Sequence, residues 1–331
     1  MSNTYIVLNS MLDRHILLCN NIYMELRELK YFLAVAREES ISKAAEALFI
    51  TQPSLSRQMQ NLEKETGKVL FVRGSRKITL TEAGMLLKKR AEEIVELCDK
   101  TQREVASFET VSGEVYIGGG ESHALSVVAD AAKKMISRYP DVRFSFHSAD
   151  TNAAMEMLNK GLIDFGVLVL PADLSGYDYI TLPAKDIWGV LMRKDSPLAD
   201  KQFVTVEDLK QLPIIGSRHI LSEKPETNWF SEYKDSFNIV ATYNLIYNAS
   251  LLVREGVGYA VGLDRLINTS GDSDLTFRPL YPTLETSLVF AWKRYRIFSK
   301  PAGKFLEVLR SCIEGGCRHC DKNVTSVDNV E

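Results

Sequence analysis

The stretch Ile41-Ser-Lys-Ala-Ala-Glu-Ala-Leu-Phe-Ile-Thr-Gln-Pro-Ser-Leu-Ser-Arg-Gln-Met-Gln60 admits few folds. Ala44 and Ala45 are small enough for two helices to cross closely, and Leu48, Ile50, Leu55, Met59 and Leu62 supply the apolar contact that fixes their angle. Thr51 is placed to cap the second of these helices, and Pro53 falls in its first turn, where a missing N–H costs nothing. Gly67 is the natural stop. Upstream, Leu26, Leu29, Phe32, Leu33 and Val35/Ala36 repeat at helical spacing over 25–37, and Ser40 and Ser42 offer N-caps for a helix over 43–49. Downstream, 69–72 and 77–80 read as two strands joined by the turn Arg73-Gly74-Ser75-Arg76. The spacing therefore predicts a helix-turn-helix followed by a two-stranded wing.

The residue types on the outer face of the second helix are Gln52, Ser54, Ser56, Arg57 and Gln58. Amide, hydroxyl and guanidinium groups are what base edges and phosphates in a major groove accept, and the helix N-terminus adds partial positive charge. Arg73, Arg76 and Lys77 on the wing suit an adjacent phosphate run. The whole chain has a formal charge of −3, yet residues 24–81 hold ten Lys/Arg against seven Glu, a local +3. Positive charge is thus gathered in one module, as a phosphate-binding surface requires. Any one of these side chains taken singly is an ordinary solvated residue; the combined spacing is what points to double-stranded DNA.

At 331 residues the chain has room for two or three domains, and 45% apolar with 25% charged residues describes an ordinary globular protein. Five cysteines form no disulfide framework, residues 1–23 lack a secretory pattern, and no stretch reaches the roughly 20 apolar residues that span a bilayer. A cytoplasmic protein without a membrane partner is expected. Residues 1–23 match no periodic template, so either they form an extension or translation begins at Met24, the reading the pattern favours. Thr81 caps a long helix over 82–108 with a heptad seam: Leu87, Ile94, Thr101 and Phe108 on one row, Ala91, Cys98 and Val105 on the next. Such a stripe is buried either against a second copy, which we expect, or against the chain's own domains.

From Val111-Ser112-Gly113 onward, strands and helices alternate. Strands are expected at 115–117, 142–147, 162–170, 188–192, 213–216, 239–242, 259–263 and 288–292; helices at 122–138, 151–160, 205–211, 227–236 and 250–255. This is an α/β pattern with a parallel sheet, so the chain as a whole reads as multidomain, α+β in front and α/β behind.

Met24-Glu-Leu-Arg-Glu-Leu-Lys-Tyr-Phe-Leu-Ala-Val-Ala-Arg-Glu-Glu-Ser, with Ala44-Ala45-x2-Leu48, Gln52-Pro53-x-Leu55-Ser56-Arg57-Gln58, Leu62-Glu63 and Leu80-Thr81-x2-Gly84, resembles the LysR-type transcriptional regulators. The resemblance is dense over the N-terminal module and looser, but in order, as far as residue 312. It implies a winged helix-turn-helix at 24–81, a linker and dimerisation helix at 82–110, and a periplasmic-binding-protein-like effector domain at 111–312, before a tail at 313–331. It implies DNA contacts from Gln52, Pro53, Ser54, Ser56, Arg57 and Arg76, to which the wing's Arg73 is added, and it supports Met24 as the start. It also implies a homodimer or homotetramer on interrupted dyad sites, with RNA polymerase as a further partner.

The family's effector domain has two subdomains that the chain crosses twice, here expected near 182–185 and 278–284, leaving subdomain I at 113–183 and 284–312 and subdomain II at 184–283. A small-molecule effector lies between them, at strand ends and helix N-termini. Glu121, Ser122 and His123 after the first strand, Thr151, Ser217, and Asn248 and Ser250 opening a helix are the expected contacts. Each hydroxyl also has a plain reading as a helix cap. Glu121 departs from the small or hydroxylated residue usual there, which counts against a purely anionic effector; His123 pairs with it or titrates near neutral pH.

Other signals are set aside. Gly118-Gly119-Gly120 completes neither phosphate-loop pattern, and Gly120-x-Ser122-x-Ala124 only faintly echoes a nucleophile elbow. Cys312, Cys317, His319 and Cys320 form a donor set chemically able to hold zinc but read as an incidental reduced tail. No catalytic residues, metal or cofactor are expected. The alternative to a ligand-responsive regulator is a constitutive DNA-binding repressor or architectural protein with no active ligand site.

Overall fold

The computed structural model describes residues 24–74, 77–106, 110–222 and 229–315. They form two compact units that divide between Gln102 and Arg103.

In the first unit, α1 (Leu26–Glu38), α2 (Ile41–Ala47) and α3 (Gln52–Thr66) make the predicted three-helix head. Ser40 caps α2, its hydroxyl accepting from the Lys43 amide at 3.4 Å, so that helix starts two residues before the predicted position and Ser42 is not the cap. Thr51 is the N-cap of α3 by position but its hydroxyl makes no capping bond; Pro53 in the first turn and Gly67 at φ +63° bound the helix. Leu29, Phe32 and Val35, Ala44 and Ala45, and Leu55, Met59 and Leu62 are all buried together, which is what fixes the angle between α2 and α3.

The wing is β1 (Phe71–Arg73) antiparallel to β2 (Ile78–Leu80). Its base is tied to α3 by Glu63, whose carboxylate accepts from the amides of Leu70 (2.8 Å) and Phe71 (3.3 Å). Strand β1 starts later than the predicted 69–72 because the Val69 carbonyl accepts from the Thr81 hydroxyl at 2.7 Å instead of a strand partner. That same hydroxyl caps α4 (Glu82–Ala106), accepting from the Gly84 amide at 3.0 Å. A Cβ on Gly84 would lie 2.2 Å from the Leu70 carbonyl oxygen, so only glycine lets α4 start this close to the wing.

The heptad seam of α4 is split. Leu87, Ala91 and Val95 pack into the head's own core, while Ile94, Leu97 and Val105 are exposed. The continuous row expected for a partner copy is therefore partly spent inside the chain, because this stretch of α4 packs into the core of the head. Phe108 lies outside the described residues.

The second unit is α/β with two subdomains. In the first, β3 (Gly113–Gly119), β4 (Val142–Ser148) and β5 (Phe165–Val169) run parallel in the order β4-β3-β5, flanked by α5 (Ser126–Arg138) and α6 (Thr151–Asn159). The predicted helix over 122–138 begins with a 3-10 turn, His123–Leu125, before α5. Strand β6 (Tyr177–Arg193) then carries the chain into the second subdomain. There α7 (Val206–Leu209), β7 (Pro213–Ser217), α8 (Arg218–Ser222), α9 (Trp229–Tyr233), β8 (Asn238–Tyr243), α10 (Ile246–Arg254), β9 (Tyr259–Leu263) and β10 (Leu275–Pro279) follow in order. β11 (Glu285–Lys293) returns to the first subdomain, which α11 (Lys300–Glu314) closes.

The crossing falls later than expected from the resemblance. Over 177–187, β6 pairs with β11; from Trp188 onward it pairs with β9 and β10. Residues 182–185 are still inside the first ladder, because a strand keeps its partner until that partner ends, and β11 starts opposite Ile187 at Glu285. The return is bracketed by Leu280 N donating to Trp188 O (3.0 Å) and Trp188 N donating to Leu284 O (2.8 Å). Each subdomain has its own core, one around Phe165, Phe290 and Phe305, the other around Val190, Ile214 and Phe230. Cys312 is buried in the first of these, its sulfur 3.2 Å from Lys134 Nζ; Cys317, His319 and Cys320 lie outside the described residues.

Candidate nucleic-acid interface and ligand cleft

Leu55, Met59 and Leu62 turn one face of α3 into the head, and the helical period then leaves Gln52, Pro53, Ser54 and Arg57 exposed, with Ser56 and Gln58 half-buried beside them. Arg57 makes no ion pair with any described residue, so its guanidinium is free for an outside acceptor. On the wing, Arg73 ends β1 opposite Ile78, Arg76 lies outside the described residues, and Lys77 is drawn to Glu39 at 3.2 Å. That ion pair is exposed on both sides, so it holds Lys77 only weakly.

In the second unit a cleft of about 520 Å³, open mouth included, lies where the parallel strands of both subdomains end. Gly120 and Glu121 follow β3, Ala149, Asp150 and Thr151 follow β4, and Val169 ends β5. Facing them, Ser217 ends β7, Tyr243 and Asn244 end β8, and Leu263 ends β9; Trp188, Ile246 and Leu266 complete the wall. Carboxyl ends of parallel strands leave backbone groups and turn residues unshared by the sheet, which is why a ligand site forms there.

Most polar side chains in this wall have partners. Asp150 caps α6, accepting from Ala153 N at 2.9 Å. Thr151 is turned to β5, accepting from Val169 N at 3.2 Å. The Tyr243 hydroxyl donates to Val261 O at 2.7 Å; burial pushes its phenol well up, a hydrogen bond with Ser217 opposes this, and the charge of Glu121 adds to it. Glu121 is half-buried and has no hydrogen bond or ion pair with any described residue.

Beside the cleft, at the crossing itself, Asp186 is fully buried. Its Oδ2 accepts from the Ser122 hydroxyl at 2.5 Å, while Oδ1 has no hydrogen-bond partner and its nearest cation is Arg265 at 3.8 Å. Burial holds this carboxyl above the usual range; the Ser122 hydroxyl pulls it down, the charge of Asp264 adds to the rise, and Arg265 and His123 oppose it.

Comparison with known proteins decides the kinship. The profile described as "LysR substrate binding domain" matches residues 109–312, and that of "Bacterial regulatory helix-turn-helix protein, lysR family" matches 26–85. The chain belongs to the LysR family. It is a LysR-type DNA-binding transcriptional regulator with a substrate-binding domain for effectors. Among curated LysR relatives, the uncharacterized HTH-type transcriptional regulator YfeR of Shigella flexneri is 25% identical over 292 residues, 86% of this chain and 93% of its own. The Hca operon transcriptional activator HcaR of Escherichia coli strain K12 is 29% identical over 283 residues, 84% and 94%. The structure of full-length CbnR complexed with its target DNA superposes with a TM-score of 0.67 at 20% identity, covering 87% of this chain and 99% of that one.

Of the contacts expected for a LysR effector, Glu121, Thr151 and Ser217 do line the cleft. Ser122 does not: its hydroxyl caps the 3-10 turn by accepting from Ala124 N and is otherwise spent on Asp186. His123, half-buried in that turn, makes no hydrogen bond to Glu121, so the first of the two roles expected for it is not seen. Asn248 and Ser250 are brought elsewhere, because α10 starts at Ile246, four residues before the predicted start; Asn248 faces out and the Ser250 hydroxyl donates to Tyr247 O at 2.7 Å. Sequence reading missed Tyr243, Asn244 and Trp188. The signal for the first two was present, since a tyrosine and an asparagine directly follow a predicted parallel strand.

Proposed function

We propose that this LysR regulator reads promoter DNA with α3 and that a small molecule held in the cleft changes how it does so. Gln52, Ser54, Ser56 and Arg57 face the major groove in this reading, Pro53 starts the helix at the backbone, and Arg73 and Arg76 grip flanking phosphates. Residues 24–81 act as the head, 82–110 as the linker and 111–312 as the effector part. The observation that carries the ligand dependence is the cleft, to which both subdomains contribute strand ends, so an occupant gains contacts on two bodies at once and shifts the angle between them. The regulator works in the cytoplasm as a homodimer or homotetramer, with RNA polymerase as its partner at promoters. We assign it no catalytic step.

The test is footprinting of the gene's own upstream region. Arg57→Ala is expected to lower DNA affinity by about ten-fold or more while the protein stays folded by circular dichroism. An unchanged footprint would remove Arg57 from the interface. A thermal-shift screen of metabolites with the full chain, followed by footprinting with every hit, is expected to find molecules that both stabilise the protein and alter the footprint. If no metabolite does either, the constitutive repressor replaces the ligand-responsive regulator.

A further inference from the structure

Resting on that reading of the cleft, we infer that its occupant carries a positively charged nitrogen, an amine on an apolar body, held by the carboxylate of Glu121. The lining contains two charged side chains, Glu121 and Asp150, both acidic, and no Lys, Arg or His among the described residues. Asp150 already serves as the cap of α6, and Glu121 has no hydrogen bond or ion pair among the described residues. A half-buried carboxylate that loses water without gaining a counter-charge is costly, so closure of the subdomains over an anion would bring like charges together, and closure over a cation would relieve the cost.

Several of the groups that welcome an anion in such folds are occupied, although the first turn of α10, which Ile246 brings to the wall, has no side-chain cap. The N-terminus of α6 is taken by Asp150, the Val169 amide by Thr151, and the Leu245 amide ahead of α10 by the Asn244 side chain at 3.0 Å. Trp188 and Tyr243 both line the wall, and an aromatic residue there suits a cation better than an anion. Tyr243 also stays a neutral phenol, because burial and the Glu121 charge both disfavour its ionisation. His123 is next but one to Glu121, yet it is not in the lining and its charge bears on Asp186. Ile246, Leu263 and Leu266 supply the surface for the apolar body.

Isopentylamine, leucine and isocaproate share one branched skeleton and present a cation, a zwitterion and an anion. Titrated into the full chain with tryptophan fluorescence as readout, one or both amine-bearing probes are expected to bind at least about ten-fold more tightly than isocaproate. Leucine ahead of isopentylamine would place the amine in an amino acid; the reverse order would place it in a simple amine. E121Q should remove the preference and E121K should reverse it towards isocaproate, so that loss of binding is told apart from loss of fold. Binding of isocaproate as tight as that of the amines, amine binding unaffected by E121Q, or no binding by either amine-bearing probe would overturn the inference. In the first two cases the cleft remains an effector site of other chemistry; in the third, the sensor reading also falls only if the metabolite screen is silent.

Discussion

Two aspartates of the α/β unit are almost fully buried and are held in opposite ways. Asp164 gives one oxygen to the Tyr116 amide at 2.9 Å and the other to Arg296 at 2.8 Å, so both acceptors are satisfied and a cation balances the charge. Asp186 has a hydroxyl on one oxygen and nothing within hydrogen-bonding reach of the other. Burial therefore raises the Asp186 pKa in the folded chain above its value in the unfolded one. The native state holds that proton more tightly, so the contribution favours folding below the unfolded pKa and is lost as pH rises through the folded one. Asp186→Asn keeps an acceptor for Ser122 and removes the charge. Melting followed by tryptophan fluorescence, which reports on this unit because residues 188, 229 and 292 all lie in it, is expected to show the variant more stable than the parent at neutral pH. The gap should close on acidification, as the parent's own carboxyl takes up its proton. A gap independent of pH would mean that burial of the charge is not what sets it.

At the scale of elements, legibility in the sequence followed the strength of local signals. Helix α3 was readable because apolar spacing, Pro53 and Gly67 agree with one another. Helix α10 was misplaced because its N-cap is Leu245, without a side-chain cap bond, while Asn248 and Ser250 within the helix look like caps. Strand β6 was seen only as 188–192, where it is apolar on both faces; its first half alternates exposed and buried residues and owes its length to the β11 ladder, a partner about a hundred residues away. The same limit explains the cleft. Glu121, Thr151 and Ser217 stand just beyond predicted strands and could be found, whereas the Ser122 hydroxyl is diverted by Asp186, whose position no local pattern reveals.

Helix α4 shows how a periodic stripe divides between uses. Leu87 and Ala91 are consumed by the head, and the face left over carries Ile94, Leu97 and Val105, with Ile94 47% and Leu97 40% exposed. Replacing Ile94 and Leu97 together by Glu is expected to lower the mass measured by sedimentation towards that of a single chain, with the melting of the head little changed because neither side chain is in its core. An unaltered mass would move self-association to another surface.

For the molecule as a whole, the two subdomains of the effector part are joined by strands. The β6–β11 ladder and the β6–β9 and β6–β10 ladders share one strand, so a change in the angle between subdomains is taken up as twist along β6 and in the return segment 280–284. Small rotations are the natural response of such a joint, and the cleft beside it is where an occupant gains leverage.

The same joint has a consequence for protein dissection. Ile187 and Glu285 are direct cross-strand neighbours, and the ends of everything between them are held together by the Trp188 backbone. The second subdomain is in effect a cassette spliced into the turn of a β-hairpin. Removing 188–284 and joining Ile187 to Glu285 through Asn-Gly, within a chain spanning 110–315, should leave an autonomous miniature α/β protein that melts cooperatively and has half a binding site. Failure of that excised chain to fold would show that each subdomain needs the other for more than the ligand.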